Sequence, residues 1–229
     1  MLYMPFDSLY LVLVLPAIVF SIWAQFRVKG SFKKYSKQRV SRGLTGADAA
    51  REVLRDNGVT GVRIERASGS LTDHFDPRTN TIRLSESVYS TPSVAAVGVA
   101  AHEAGHAVQY SESYAPMKLR AAIIPATNIG SMLSMPLILL GIFLNLTGLI
   151  NIGIILFGAV VVFQLVTLPV EFNASRRAVA VLNNSNLLTP EEVPAAKKVL
   201  SAAALTYVGA LAVSLAQFIR LLAIANRRR

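Results

Sequence analysis

Ser93-Val94-Ala95-Ala96-Val97-Gly98-Val99-Ala100-Ala101-His102-Glu103-Ala104-Gly105-His106 is the stretch on which the reading of this chain turns. Its apolar run predicts a buried helix over about Ser93–Gln109, and Pro92, between Thr91 and Ser93, fits the start of one. Residues four apart on a helix share a face. The imidazoles of His102 and His106 therefore point the same way and can bind one Zn2+. Glu103 lies about 100° around the helix from His102, beside the metal, where it can act as general base on water. The competing reading is a surface helix with two unrelated histidines. Against it stands the Ala/Val/Gly setting, in which two His and a Glu are costly to bury without a metal. The chain has three histidines, and two of them fall in this motif.

The rest of the composition points to a membrane. Of 229 residues, 53% are hydrophobic and 16% charged, where soluble domains carry about a quarter charged. There is no cysteine, so zinc must be held by His and carboxylates, which suits a catalytic site better than a closed structural one. The lack of Cys assigns no redox compartment. The net charge of +10 reads as topology and contact with anionic lipid. No module for nucleic acid is visible, and none is expected as a partner.

The apolar run from Ser8 to Phe26, about 19 residues, matches one bilayer crossing. The start before it carries no positive charge, unlike a cleaved signal peptide. Arg27, Lys29, Lys33, Lys34, Lys37, Arg39 and Arg42 follow it. This predicts an uncleaved anchor with its N-terminus outside and residue 27 onward cytoplasmic. Ala121–Leu146, interrupted by Pro125 and Pro136, and Asn151–Val170 form an expected transmembrane hairpin around Asn145–Gly148. The hairpin returns Glu171 to the side of His102. A final run, Ala202–Ala225, contains Gln217 and Arg220. If it spans, Arg227-Arg228-Arg229 lies outside, against the positive-inside tendency; a helix in the interface or packed under the catalytic helices avoids that.

The expected organisation is a transmembrane anchor at 1–26, a cytoplasmic catalytic part at 27–120, a transmembrane hairpin at 121–170, and at 171–229 a third-ligand helix and a C-terminal apolar helix. Within the polar part, Thr45–Arg55 has helical spacing with Thr45 as cap and Gly58 as stop. Val59–Glu65 and Thr81–Leu84 read as short strands. Leu187–Lys198 reads as a polar helix from Thr189. The fold class is a mainly α integral membrane protein with three to four transmembrane helices and a small α+β portion.

Glu171 is the best candidate for a third protein ligand. A carboxylate at the end of an apolar span is normally paired or functional, and the alternative is a pairing with Arg176, Arg177 or a lysine. Two His and one Glu leave a fourth position for water. His74 sits in Asp73-His74-Phe75-Asp76-Pro77-Arg78, which looks like a strand end and turn. It can be read as a ligand, as lining the cleft or stabilising the oxyanion, or as an ordinary turn histidine. Arg176 and Arg177 can each donate to a developing oxyanion or hold Glu103 or Glu171 in place. Each can equally be a positive-inside anchor; Arg177 is preferred near the site.

The chain resembles the YugP-type membrane zinc metallopeptidases, a gluzincin-like family of bacterial membrane proteins. The matching residues are His102-Glu103-Ala104-Gly105-His106-Ala107-Val108-Gln109, Leu71-Thr72-Asp73-His74-Phe75-Asp76-Pro77-Arg78, Glu171-Phe172-Asn173-Ala174-Ser175-Arg176-Arg177-Ala178 and Leu200-Ser201-Ala202-Ala203-Ala204-Leu205-Thr206-Tyr207. The resemblance covers most of the chain. It implies a zincin-like α+β portion, zinc-dependent peptide hydrolysis and Glu171 as a ligand. It also implies a strand beside the cleft that holds extended substrate by main-chain pairing. More distantly the chain resembles membrane peptidases of the HtpX and CAAX-processing type, whose third-ligand motif reads E-x-x-x-D. Here Ser175 stands where the Asp would be. An Asp there can orient a ligand His through a hydrogen bond; Ser175 is expected to do so more weakly, with Asp73 or Asp76 as substitutes.

These readings lead to a zinc metalloendopeptidase in a bacterial plasma membrane. His102, His106 and Glu171 hold the metal, Glu103 is the base, and His74 and Arg177 stand near the chemistry. Its site faces the cytoplasm. Expected partners are a protein or peptide substrate and the bilayer, with room for an adaptor or a second copy that no residue identifies. A non-hydrolytic zinc-binding scaffold and a metal-handling transporter or sensor are the alternatives from other classes.

Overall fold

The computed structural model describes residues 7–69 and 72–226. Met1–Phe6, Ser70, Leu71 and Arg227–Arg229 lie outside the described residues. They include the uncharged start, the first residue of the Leu71–Arg78 stretch and the C-terminal arginines.

Four helices are long and apolar enough to cross a membrane: Tyr10–Tyr35, Ala115–Phe143, Thr147–Asn184 and Val193–Asn226. With one three-stranded sheet, they make this a mainly α membrane protein with a small α+β portion. The first helix opens with a π-helical turn, Tyr10–Val14, and continues as α1, Leu15–Tyr35. Then follow α2 (Gly46–Asp56), β1 (Arg63–Ala67), β2 (His74–Asp76), β3 (Thr81–Ser85), α3 (Glu86–Tyr89) and α4 (Val94–Ser111). The chain ends with α5 (Ala115–Phe143), α6 (Thr147–Asn184) and α7 (Val193–Asn226).

Three helices differ from the sequence expectation in extent. Pro125 and Pro136 lie inside a continuous α5. Each removes one backbone donor, but in an apolar span any irregular alternative would leave several backbone groups without partners. The expected helices Leu187–Lys198 and Ala202–Ala225 are parts of one α7, which begins at Val193. α6 has 38 residues, about 57 Å at 1.5 Å per residue. That is well beyond the ~30 Å of hydrocarbon, so Glu171 and the residues after it continue the same helix that forms the apolar span.

The chain divides into two compact units. One holds the described parts of Met1–Ala24, Lys118–Leu168 and Leu205–Arg229. Its core joins Ile138, Ile150, Ile154, Leu221 and Ala225, from α5, α6 and α7. Gly153 of α6 packs so closely on α5 that a Cβ there would lie 2.8 Å from the Ser134 carbonyl, the kind of approach small residues permit between apolar helices. Arg220, 2% exposed, pairs with Asp7 at 3.2 Å and stacks its guanidinium 5.3 Å from the Tyr10 ring centroid. The start of the first apolar helix and the end of the last thus lie at one end of this unit. Arg220, within the expected run Ala202–Ala225, is thus a paired arginine; Arg227–Arg229, on which the doubt about that run as a span rested, lie outside the described residues.

The other unit holds Gln25–Met117 and Pro169–Ala204. α2 begins at a capping box: Thr45 accepts from the Asp48 amide, and Asp48 accepts from the Thr45 amide. It ends before Gly58, whose φ of +64° lets the chain turn away. The sheet order is β1-β3-β2, with β1 parallel and β2 antiparallel to β3. The β2–β3 hairpin turns at Asn80, in the left-handed region at φ 49°. β2 is the strand that the sequence reading took only for a strand end. Ser93 caps α4 by accepting from the Ala96 amide. Ala95, Ala96, Val97, Ala100, Ala101 and Ala104 of α4 are fully buried, in one core with Val53, Ile82, Leu84, Ala178 and Leu182.

Removing the Asp7 carboxylate would leave Arg220 buried without its ion pair. The Asp7→Ala variant is expected to lose about 3 kcal/mol of stability, read as a lowered unfolding midpoint in detergent. Adding Arg220→Leu should restore most of that loss, because no unpaired charge then remains.

Candidate metal centre

The site is built by two helices of one unit. His102, Glu103 and His106 come from α4, and Glu171 comes from α6. What brings the helices together is Gly105. A Cβ built there would lie 2.9 Å from the Ala174 carbonyl oxygen and 3.3 Å from the Ala174 Cα. With glycine at one side of the crossing and alanine at the other, the two backbones touch. Glu171, one turn before Ala174, then reaches the histidine face of α4.

The three side chains converge. Glu171 Oε2 lies 3.2 Å from His102 Nε2 and 3.5 Å from His106 Nε2. One ligand atom from each residue lies within 4.8 Å of the others. Atoms bound 2.0–2.1 Å from one tetrahedral zinc are about 3.4 Å apart, so the spacing and the N, N, O donor set both suit zinc. Glu171 is 2% exposed; a carboxylate so buried needs a cation or strong donors.

The far side of each imidazole is also held. His106 Nδ1 lies 3.0 Å from Gln109 Oε1. The Gln109 amide is oriented by its own donors, which reach the Val170 carbonyl at 2.8 Å and Asn173 Oδ1 at 2.9 Å. Its oxygen is therefore the acceptor, Nδ1–H of His106 the donor, and Nε2 keeps its lone pair for the metal. His102 Nδ1 lies 3.1 Å from Ser175 Oγ, so the hydroxyl at the E-x-x-x-D position does meet a candidate ligand histidine. Burial works against a charge on His106, but the hydrogen bond to Glu171 and the carboxylates of Glu103 and Glu171 outweigh it. The imidazole titrates above its ordinary value, and a proton there competes with a metal.

Glu103 is 9% exposed, and among the described residues no side chain or backbone donor binds its carboxylate. It is the one site carboxylate not committed to a partner.

The pattern of a family described as "Putative neutral zinc metallopeptidase" matches residues 10–226. The chain belongs to this zinc metallopeptidase family. It is also similar to the "Putative membrane protease YugP" of Bacillus subtilis (strain 168), with 49% identity over 212 residues, covering 93% of this chain and 94% of that protein. No solved structure matches the chain.

In this family member the remaining site candidates sit further out. His74 is exposed on β2, and its Nδ1–H reaches the Thr72 carbonyl at 2.8 Å; it lies outside the His102–His106–Glu171 cluster. Arg177 donates through Nε to Asn173 Oδ1 at 2.8 Å and pairs with Glu112 at 2.7 Å. It thus reaches His106 only through Asn173 and Gln109. Arg176 is exposed. Asp73 accepts from the Ser85 amide and hydroxyl; burial, with Glu103 adding to it, raises its carboxyl above the ordinary value. Asp76 accepts from Thr79 and Arg83.

Sequence reasoning gave no role to Gln109 or Asn173. The signal was present for Gln109, a glutamine three residues after His106 on the same face of an otherwise apolar helix.

Removing groups that hold ligand imidazoles typically costs 10–100-fold in metal affinity. Gln109→Ala and Ser175→Ala should each weaken zinc by roughly that factor in competition with a chromophoric chelator. Ser175→Asp should match or exceed the unmodified affinity. An unchanged affinity in Gln109→Ala would show that the amide only fills space.

Proposed function

We propose that the chain is a zinc metalloendopeptidase hydrolysing peptide bonds at the cytoplasmic face of a bacterial plasma membrane. The observation that carries the reading is the pairing of three converged ligand atoms with Glu103, a neighbouring carboxylate that no other group claims. A site that only held metal for structure would have no use for it. The family description and the named relative support its coarser part, a zinc peptidase of a membrane.

Zinc, when bound, supplies Lewis acidity to the scissile carbonyl and to the attacking water. The chain's own residues do the rest. His102 and His106 present Nε2 because Ser175 and Gln109 hold their Nδ1 sides. Glu171 supplies the oxygen donor and neutralises part of the metal charge. Glu103 accepts the proton of the attacking water on a carboxylate oxygen and delivers it to the departing amine nitrogen. Arg177 is a positioning residue, acting through Asn173 and Gln109. His74 has its Nδ1 committed to Thr72, which leaves Nε2 for a substrate lying along β2.

The cytoplasmic assignment rests on the basic residues after Phe26 and on the count of crossings. α5 and α6 return the chain, so Arg27, His102 and Glu171 share a side, and the positive-inside tendency makes that side cytoplasmic.

Glu103→Gln keeps size and polarity but cannot take a proton. It should retain full zinc content while hydrolysis of an unfolded protein such as casein falls about 10²–10⁴-fold. Zinc binding without hydrolysis by the unmodified protein, across unfolded and membrane substrates, would favour the scaffold reading.

The absence of cysteine allows a clean topology test. Single cysteines at Thr79 and Asn145 should react differently with a membrane-impermeant maleimide on intact cells. Asn145→Cys should label at once, and Thr79→Cys only after the membrane is opened. The reverse pattern would move the site outside.

A further inference from the structure

A second cluster of charge lies in the same unit and shares no residue with the His102–His106–Glu171 cluster. Arg27, Gly30, Ser31, Lys34 and Tyr35 of α1 and Pro194, Lys197, Lys198 and Ser201 of α7 line one groove of about 710 Å³. We propose that this groove binds the phosphate headgroup of an anionic membrane phospholipid.

Four observations carry the proposal. Arg27, Lys34, Lys197 and Lys198 are all exposed, and no acidic residue shares the lining. Like charges gathered in one groove repel one another, and an anion joining Lys34, Lys197 and Lys198 there lowers that cost. Second, the lining includes two hydroxyl side chains, Ser31 and Ser201, which can donate to phosphate oxygens. Third, the groove is placed where headgroups lie. Arg27 directly follows the apolar run that ends at Phe26, and Ser201 directly precedes the one that begins at Ala202. Two helices thus enter the hydrocarbon at the groove, and basic side chains at that level meet lipid phosphates.

The fourth observation is Gly30. It lies inside α1, where glycine costs about 0.5–1 kcal/mol relative to alanine. The usual packing reason is missing, since a Cβ there would meet nothing within 4 Å. No neighbouring helix demands the bare backbone; the space it leaves is the groove itself. A headgroup lying against α1 would use that space, as ligands approach closely at glycines elsewhere. The juxtamembrane charge excess alone would need neither the glycine nor the hydroxyls.

The test measures lipid, not hydrolysis, so its outcome is independent of the peptidase reading. The full chain in detergent is titrated with phosphatidylglycerol and, separately, with phosphatidylcholine of the same acyl chains, and bound lipid is counted by native mass spectrometry. One phosphatidylglycerol should bind at least about tenfold more tightly than phosphatidylcholine. Lys197→Ala/Lys198→Ala should weaken it about tenfold or more. Gly30→Leu, which fills the groove, keeps every charge and favours the helix, should weaken it comparably. Lys29→Ala/Lys33→Ala, outside the lining, should leave it within about twofold. Equal binding of the two lipids, or a Gly30→Leu variant that binds as well as the unmodified chain, would overturn the proposal. So would inorganic phosphate at millimolar concentration binding in the groove while phosphatidylglycerol fails to displace it, since the site would then serve a free anion.

Discussion

The contact between Gly105 and Ala174 is the constraint on which the site depends. A metal centre drawn from two helices needs their axes close enough for short side chains to share one ion. His102 and His106 are fixed to one face by the helical repeat, but Glu171 is distant in sequence and arrives only if α6 touches α4. The would-be Cβ distance of 2.9 Å at Gly105 shows that no larger residue fits without parting the helices. The small residues of the motif are thus as much part of the site as its ligands. Ala104, Ala107, Ala174 and Ala178 extend the same close packing along both helices.

Once the helices touch, a second set of interactions fixes the chemistry. Gln109 is wholly buried and makes three hydrogen bonds, to His106, the Val170 carbonyl and Asn173. It joins α4 to α6 and sets the His106 tautomer in one arrangement. Asn173 passes the connection to Arg177, and Arg177 to Glu112 at the end of α4. Charge enters the network only at its outer end, where solvent lowers its cost. Beside the two histidines the supports are an amide and a hydroxyl. A neutral support leaves the imidazoles less strongly electron-donating than a carboxylate would, and the site's negative charge then comes from Glu171 and Glu103.

Much of this was legible in the chain before any coordinates, for identifiable reasons. The His102–His106 pair and Glu103 follow from helical periodicity, which is local. The caps at Thr45 and Ser93 follow from side-chain chemistry within three residues. Glu171 stands out because a carboxylate at the end of an apolar run is costly, and the fold brings it to the two histidines. What escaped were features set by tertiary contact or by length alone. Pro125 and Pro136 do not break α5, because an apolar span offers the backbone no other partners. The polar helix from Thr189 and the last apolar run merge, because nothing between Lys198 and Ala202 stops a helix. Arg220 stands in the last apolar run, and its partner Asp7, more than two hundred residues away, is visible only in three dimensions. β2 is three residues long, too short for a periodic signal. Ser175 could be named as a weak substitute for an Asp, but its hydrogen bond to His102 is visible only in three dimensions.

The central claim is that one zinc is bound by two imidazoles from α4 and one carboxylate from α6. X-ray absorption at the zinc edge, on the full chain purified in detergent with one equivalent of metal, tests it most directly. The account predicts a four-coordinate shell of nitrogen and oxygen at about 2.0–2.1 Å, with outer-shell scattering from two imidazoles. In Glu171→Ala the two-imidazole signature should persist while a protein oxygen is replaced or the occupancy falls. A three-imidazole signature would bring His74 into the site and contradict the assignment of Glu171. Failure to hold zinc at all would contradict the metal centre itself.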